Sequence, residues 1–275
     1  EAIIVAVLDI VYESVRNLSS ARPEVAHRNA ERIIDWQRSL GLWHEPAMQQ
    51  WALNWTPLII FANYFYGSVY IGATVFGLIF LYRKHPDDYP LWRNTLAIGT
   101  LLGLIGFATF PLMPPRLLDS TTPYGGHQIQ VERNISPYGF HDTLEEVGGL
   151  WSFDSGTMSK LSNQYAAMPS LHCAWATWCA LVGWRLTRRK WARTLLTIYP
   201  FLTVFCLVVT GNHYWIDGLG GLVRSAPKGT GALSDLLYLF HATQVVRFCE
   251  GEEWKTWNEG PKDAATGVRK GGMRD

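Results

Sequence analysis

The sequence predicts an all-α protein whose helices form a polytopic transmembrane bundle of about six spans, the last of them truncated. Three observations lead to this fold class: long uncharged runs, basic residues grouped in the loops between them, and a composition in which 48% of the 275 residues are hydrophobic. Each uncharged run is close to or longer than the roughly 20 residues that cross a bilayer core. The runs are residues 57–82, 94–113, 166–184 and 194–212.

A fifth apolar stretch, residues 2–18, is interrupted by Asp9 and Glu13 and is interpreted as the end of a first span. A cleaved signal peptide fits this stretch poorly, because no basic flank precedes it and no clear small-residue cleavage site follows it. Because the sequence does not begin with Met, the numbering is expected to start inside a longer natural chain.

Two polar segments follow distinct patterns. In residues 23–41, charged and apolar positions alternate at helical spacing and Gly41 acts as a stop, which predicts an amphipathic helix on the outer surface. The uncharged run from Tyr214 is interrupted by Asp217 and ends at Val223, only about half a membrane thickness at roughly 1.5 Å per residue. The predicted division is therefore a membrane-embedded domain over 1–223 and a polar, poorly ordered tail over 224–275.

The positions of the basic residues predict the orientation. They crowd two short loops between spans: Arg83, Lys84 and Arg93 in one, and Arg185, Arg188, Arg189, Lys190 and Arg193 in the other. Cytoplasmic loops are enriched in Lys and Arg, so both loops are predicted to face the cytoplasm. Segments 19–56, 114–165 and 211–217 are then predicted to lie on the lumenal or extracellular side.

Three stretches on this outer side carry polar residues at the ends of predicted spans: MPPRLL at 113–118, MPSLH at 168–172 and GNHYWID at 211–217. They supply Arg116, Ser170, His172, His213 and Asp217. A single histidine in a helix is more often a satisfied core residue than a catalyst. Two histidines at helix mouths on one side, together with charged residues that are costly at membrane depth, indicate a reaction site.

The spacing of these residues favours chemistry at phosphorus. His213 and Asp217 are four residues apart, which on a helix puts them on one face. Asp217 can then hold one ring nitrogen protonated and leave the other free to attack. Arg116 can bind phosphate oxygens as a bidentate fork, and Ser170 with the free N–H groups of the following helix start provides an anion site. His172 is positioned to donate a proton to a leaving oxygen.

The order Arg, Pro-Ser-x-His, Gly-x-His-x-x-x-Asp resembles the type 2 phosphatidic acid phosphatase and haloperoxidase superfamily. The stretches FPLMPPRLLD, NQYAAMPSLHCAWATW and VVTGNHYWIDGLGG are most similar to its inositolphosphotransferase branch, which includes the inositol phosphorylceramide synthases. The resemblance covers most of residues 1–223. It implies a six-helix membrane bundle, a lipid phosphate or phosphodiester substrate, and a phosphohistidine intermediate without a metal or other cofactor. It also implies roles: His213 as nucleophile, Asp217 as its orienting partner, His172 as acid and base, and Arg116 and Ser170 as phosphate ligands.

Two positions depart from the superfamily pattern. Thr109 stands where a Lys precedes the arginine by seven residues, and Leu207 stands where an Arg precedes the nucleophilic histidine by six. Phosphate charge must therefore be met by fewer cations or by others, for example Arg133 or Lys160. The departures favour the transferase-like branch over the simple phosphatases and leave hydrolysis or transfer open.

The outer loop 119–165 is long for a structureless connection, which is typical of a lid or binding loop. Its aromatic residues and histidines can be interpreted as interfacial or solvated side chains, or as an acceptor pocket: Tyr124, His127, Tyr138, His141, Trp151 and Tyr165. Asp142, Glu145 and Glu146 lack a metal-site pattern and are interpreted as a solvated face. The four cysteines, Cys173, Cys179, Cys206 and Cys249, are interpreted as packing residues.

Two function classes follow. The first is an enzyme that moves a phosphoryl or phosphoinositol group between lipids or to water on the non-cytoplasmic face. The second is a catalytically compromised membrane protein that binds lipid without turnover, because a full catalytic set is attached to half a helix. The predicted partner is a membrane lipid. A net charge of +1 gives no indication of nucleic acid, and the oligomeric state stays open.

Overall fold

The computed structural model describes Ile10, Ser14, residues 23–148 and residues 164–218. Within these ranges every regular element is helical, and the extended backbone forms an isolated bridge between Leu112 and Ala166. The predicted all-α class is confirmed. The first predicted span, the boundary predicted at residue 223 and the polar tail lie outside the described residues, apart from Ile10 and Ser14.

The helices of the described ranges are, in chain order, α1 (Pro23–Ser39), α2 (Glu45–Leu53), α3 (Thr56–Tyr64), α4 (Tyr70–Lys84), α5 (Tyr89–Thr109), α6 (Pro115–Leu118), α7 (His127–Arg133), α8 (Thr143–Glu146), α9 (Leu171–Leu186) and α10 (Lys190–Val209). A π-helical segment, Phe65–Val69, joins α3 to α4 without a break. Residues 215–218 form a further helical turn at the end of the described chain.

Among the residues that the structure describes, three helical stretches are long and apolar enough to cross a membrane: Thr56–Lys84, Tyr89–Thr109 and Lys190–Val209. Helix α9 has 16 residues, which corresponds to about 24 Å at roughly 1.5 Å per residue. It is the shared partner of the bundle, because it packs against α10, α4 and α5. The described part of the chain is thus a bundle of apolar helices around α9.

At one end of the bundle, three helices stop short of the predicted runs. Helix α5 ends at Thr109 instead of 113, α10 ends at Val209 instead of 212, and α9 begins at Leu171 instead of 166. The residues of the runs that lie beyond these helix ends carry no charge and are mostly buried in protein, which is where non-helical backbone is tolerated at membrane depth.

Local sequence explains the helix ends. Pro169 disfavours a helical conformation in the residue before it, so α9 cannot extend back through Met168. Ser170 is the N-cap of α9, and its Oγ accepts from the backbone N–H of Cys173 at 3.4 Å. Pro169 therefore immediately precedes the N-cap of α9 and lies outside its first helical turn. At the end of α10, Gly211 has φ +69° and turns the chain away from the helix axis.

The predicted amphipathic helix forms as α1 and covers this same end of the bundle. Its apolar side, which includes Ala26, Ala30 and Ile33, is buried in a cluster with residues of the 110–118 segment. The carbonyl of Ala26 accepts from the N–H of Met113 at 3.2 Å, and Asn29 donates to the carbonyl of Pro111 at 2.8 Å. Helix α1 is thereby fixed over the loops that follow α5.

The opposite end carries the basic loops and an apolar cluster. Helices α4 and α5 are joined there, as are α9 and α10. Leu81, Trp92, Trp178 and Val182 form the buried cluster, in which the indole N–H of Trp178 donates to the carbonyl of Trp92 at 2.9 Å. Cys173 and Cys206 are buried free thiols and Cys179 is partly buried, whereas Cys249 lies outside the described residues.

Candidate active site

Backbone hydrogen bonds join the three stretches that carry the predicted site residues. The N–H of Arg116 donates to the carbonyl of Gly211 at 2.7 Å, and the N–H of Ser170 donates to the carbonyl of Asp217 at 3.2 Å. Gly211 is required at this crossing, because a Cβ there would lie 3.2 Å from the Cβ of Arg116 and 2.8 Å from the amide nitrogen of Gln49. Irregular backbone after α5, before α9 and after α10 thus meets at one place.

His213 lies between a carboxylate and a hydroxyl. Its Nδ1 is 3.4 Å from Oδ2 of Asp217, and its Nε2 is 3.4 Å from Oγ of Ser170. All three side chains are buried. An imidazole with Nδ1 protonated toward Asp217 has its lone pair on Nε2, so Nε2 is the nitrogen available for attack.

His213 and Asp217 do not lie on one continuous helix face, as was expected from their four-residue spacing. They face each other across the start of a helical turn instead. His213 and Tyr214 precede the helical turn 215–218, and Asp217 lies within it. Oδ2 of Asp217 accepts from the N–H of Tyr214 at 3.0 Å. In a capping box, the side chain at position N3 bonds to the backbone N–H of the N-cap residue in the same way. The same carboxylate oxygen therefore caps the helix and faces the ring of His213.

His172 lies beside His213 within a set of aromatic rings. The two imidazole centroids are 5.5 Å apart at 69°. Tyr66 stacks on His172 with centroids 4.7 Å apart, and Tyr70 lies 4.3 Å away. Sequence reasoning did not identify either tyrosine, because both belong to a long apolar run. The signal that marks them is structural, since Tyr66 lies in a π-helical segment and such segments often occur at functional sites.

Arg116 is buried and has side-chain acceptors from three parts of the chain. Its Nη1 donates to Oδ2 of Asp142 at 2.6 Å, its Nε to Oδ1 of Asn212 at 3.1 Å, and its Nη2 to Oε1 of Gln164 at 2.9 Å. The interpretation of Asp142 as part of a solvated face is therefore wrong, because its side chain is only 11% exposed and forms an ion pair. Glu145 and Glu146, in contrast, are exposed.

The residues at the two departures from the superfamily pattern bring no cation. Thr109 is exposed and its hydroxyl donates to the carbonyl of Ile105 at 2.9 Å, whereas Leu207 is buried in the protein. Arg133 does not compensate at the site, because its Nη1 pairs with Oε2 of Glu31 at 2.8 Å. Lys160 lies outside the described residues.

The side chains suggested for an acceptor pocket have other contacts. The hydroxyl of Tyr165 donates to the carbonyl of Tyr124 at 3.1 Å, and Tyr124 and Tyr138 pack against the cluster under α1. His141 is 3.0 Å from Glu146 on the exposed side of the loop. His127 begins α7 and is exposed, and Trp151 lies outside the described residues. These contacts favour structural roles for the tyrosines.

A buried carboxyl group that the sequence did not mark supports the last helical turn. Oε1 of Glu45 accepts from Nε2 of Gln37 at 2.6 Å and from the N–H of Trp215 at 3.4 Å, and Oε2 accepts from the N–H of His44 at 3.1 Å. Burial raises the pKa of Glu45 above its ordinary value. Glu45 thereby connects α1 and α2 to the turn that contains Asp217.

Comparison with known proteins agrees with the geometry. The family model described as PAP2 superfamily matches residues 31–226. The chain is 26% identical over 179 residues to a phosphoinositol dihydroceramide synthase of Bacteroides thetaiotaomicron, an alignment that covers 62% of this chain and 53% of that protein. The chain therefore spans about half the length of the curated relative that it matches. No solved structure matches it.

Proposed function

The chain belongs to the PAP2 superfamily, and from this premise we propose that it is a lipid phosphotransferase that works through a phosphohistidine on His213. Its apolar helices and its family indicate an integral membrane protein that acts on membrane lipids. One observation carries the proposal: the two ring nitrogens of His213 face different groups, Asp217 on one side and Ser170 on the other. This is the arrangement of an oriented nucleophile.

In the first step, Nε2 of His213 attacks the phosphorus of the donor lipid. An N–P bond forms and the P–O bond to the leaving alkoxide breaks, while His172 gives its proton to that oxygen. Asp217 stabilises the positive ring that results. Arg116 holds the phosphate oxygens, and the hydroxyl of Ser170 supplies a further donor within reach of the same nitrogen.

In the second step, the acceptor oxygen replaces the histidine. His172, now neutral, removes the proton from an acceptor hydroxyl, whose oxygen attacks phosphorus as the N–P bond breaks. The products are the phosphorylated acceptor and free His213, and His172 has regained the proton that it lost. Water in place of the alcohol gives hydrolysis by the same route, so the occupant of the acceptor position decides between transferase and phosphatase.

We propose phosphoinositol as the transferred group. The similar protein from Bacteroides thetaiotaomicron is a phosphoinositol dihydroceramide synthase, which supports this choice. A phosphodiester donor carries one negative charge at phosphorus, in keeping with a cluster where Thr109 and Leu207 replace two cations. The donor is thus a phosphoinositol lipid and the acceptor a lipid alcohol.

We propose that the site faces the lumenal or extracellular side. The site residues lie at the ends of α5 and α10 and at the start of α9, whereas the basic loops join the opposite ends of these helices. The rule that basic loops stay in the cytoplasm then assigns the site to the other face.

The test is a search for the covalent intermediate. The purified protein in detergent is incubated with phosphoinositol lipid labelled with ³²P, quenched in alkali, and digested for identification of the labelled peptide. We expect label on the peptide that contains residue 213 and formation of a new phosphoinositol lipid. His213→Ala should lose both, with turnover reduced by about 10⁴-fold or more.

The matched control is His141→Ala, which removes an exposed histidine of the outer loop that pairs with Glu146. It should keep the label and at least half of the turnover. Label retained in His213→Ala would contradict the phosphohistidine. Lipid binding without label or turnover in the unaltered chain would favour the non-catalytic alternative.

A further inference from the structure

The ion pair between Arg116 and Asp142 places a negative charge inside the proposed phosphate subsite. The two side chains are 4% and 11% exposed, and Nη1 of Arg116 is 2.6 Å from Oδ2 of Asp142. Arg116 is the residue that the proposed function assigns to the substrate phosphate. A carboxylate therefore already lies against the guanidinium that has to bind an anion.

Asp142 is held by the fold as well as by Arg116. Its Oδ1 caps α8, accepting from the N–H groups of Leu144 and Glu145 at 3.1 and 3.3 Å. Thr143 is anchored to α3, because its hydroxyl donates to Asn63 at 2.8 Å and its carbonyl accepts from Asn63 at 2.9 Å. The carboxylate thus keeps its place when an anion binds beside it.

The preceding residue is anchored equally well. Gln49 of α2 exchanges two hydrogen bonds with the backbone of His141, donating to its carbonyl at 3.0 Å and accepting from its N–H at 2.9 Å. Gln49 is fully buried. Segment 141–143 is consequently fixed on both sides of Asp142, by α2 and by α3.

We propose that Asp142 is a specificity-determining residue that makes the phosphate subsite discriminate against doubly charged phosphate. This inference rests on the proposed function of Arg116 as phosphate ligand. A fixed carboxylate repels an anion in proportion to the charge of that anion, so a dianionic monoester loses twice as much binding free energy as a monoanionic diester. With neutral Thr109 and Leu207, the charge of Asp142 favours phosphodiesters over monoesters.

A purely positioning role would give the opposite sign. If Asp142 only oriented Arg116, neutralising the carboxylate would loosen the guanidinium and weaken the binding of every anion. If Asp142 sets the charge of the subsite, the same change strengthens binding, and more strongly for the dianion. The direction of the change separates the two roles.

The experiment compares two small probes of equal chemistry and different charge. Methyl phosphate is a dianion at pH 8, well above its second pKa of roughly 6, whereas dimethyl phosphate carries one charge. Binding is measured by ³¹P NMR titration of the full chain in detergent. Asp142→Asn is the test variant, because asparagine also caps helices and its amide oxygen can still accept from Arg116. Glu146→Gln is the control, since it removes one charge from the same loop at an exposed position.

For Asp142→Asn we expect dimethyl phosphate to bind about threefold more tightly and methyl phosphate about tenfold, close to the square of the first factor. Glu146→Gln should change each by less than about twofold. Weaker or unchanged binding in Asp142→Asn, an equal gain for both probes, or the same gain in Glu146→Gln would overturn the inference. The inference would also fail if neither the unaltered chain nor Asp142→Asn bound either probe.

This outcome is independent of the phosphohistidine. If the binding changes appear but no label reaches His213, the charge-setting role of Asp142 stands and the proposed transfer falls. If the label appears and Asp142→Asn leaves the ratio of the two affinities unchanged, the transfer stands and the role of Asp142 falls.

Discussion

The two ends of the helical bundle both contain buried apolar clusters but differ in their buried polar side chains. At the end that carries the candidate site, which we call the polar end, buried polar side chains connect loops to helices: Glu45, Gln49, Asn63, Arg116, Gln164, Asn212 and Asp217. At the end with the basic loops, which we call the apolar end, the buried cluster consists of Leu81, Trp92, Trp178 and Val182. The difference follows from the backbone, because helices satisfy their own N–H and C=O groups whereas irregular segments need other partners.

Asp119 illustrates the polar end. Its two carboxylate oxygens accept from the backbone N–H groups of Tyr138, Gly139 and Phe140 at 2.6–3.0 Å, and from the side chain of Gln130 at 2.8 Å. One side chain thereby orders a turn that has no regular structure. Polar side chains can therefore come together at the end where the helices stop, and a reaction site needs several polar side chains in one place.

The largest effect is expected at the polar end, in catalysis. Asp217→Asn should lower kcat of the proposed transfer by about 10³- to 10⁴-fold, because the amide no longer stabilises the positive ring of His213. The unfolding free energy should change by less than about 1 kcal/mol, since an amide oxygen can still accept from the N–H of Tyr214. Steady-state transfer assays and unfolding in mixed detergent measure the two quantities.

Asp119→Asn is the comparison for this variant. It neutralises a carboxylate at the same end that binds backbone N–H groups of the loop instead of His213. It should lower the unfolding free energy by about 1–2 kcal/mol and reduce kcat by less than about tenfold. Similar losses of kcat in both variants would show that Asp217 acts through the order of the site and not through the ring.

The next effect is expected at the apolar end, in stability. Trp178→Ala should lower the unfolding free energy by about 3–5 kcal/mol, because it removes a buried indole that packs edge-on against Trp92 at 6.4 Å. The kcat of the protein that remains folded should stay within about threefold, since the site is at the other end. Unfolding in mixed detergent and activity per folded molecule test this.

Trp191→Ala provides the matched control, because Trp191 is 62% exposed. It should change the unfolding free energy by no more than about 0.5 kcal/mol. If kcat per folded molecule of Trp178→Ala fell by much more than about threefold, the two ends would not be separate in their effects.

The sequence predicted the helical class and the three membrane-spanning helices found in the described residues, because both depend on local properties. The length of each uncharged run can be read directly from the sequence. The candidate residues Arg116, His172 and His213 are recognisable because they interrupt or border apolar runs. The helix ends were wrong by three to five residues, since hydropathy does not distinguish burial in lipid from burial in protein. Residues 110–113 and 210–212 are uncharged and are buried in protein, outside the helices.

The tertiary partners could not be predicted from local pattern. Asp142 reads as one of several loop acids, and only closure of the loop brings it to Arg116, 26 positions away. Glu45 meets the backbone of Trp215 across 170 positions. In the sequence, nothing distinguishes Tyr66 from other residues of the predicted span. Its stacking on His172 of α9 appears only in the folded structure. Such contacts are set by how elements pack, and a periodic pattern carries no information on them.

The smallest effect is a pH dependence of stability that belongs to the polar end. Burial raises the pKa of Glu45, so the native protein holds this proton up to a higher pH than the unfolded chain does. Between the two pKa values the native state binds more protons, and the unfolding free energy falls as pH rises. The contribution is complete below the ordinary glutamate pKa of about 4.3 and is lost as pH passes the raised value.

Glu45→Gln should remove this part of the dependence, because glutamine stays neutral at every pH and its amide oxygen can still accept from Gln37 and Trp215. The unfolding free energy of the variant relative to the unaltered chain should therefore increase from pH 4 to pH 8, as measured by unfolding in mixed detergent at each pH. Glu24→Gln, at an exposed position of α1, should leave the profile unchanged. Parallel profiles for all three proteins would mean that the pKa of Glu45 is not raised in the native protein, and the proposed pH dependence of the polar end would be wrong.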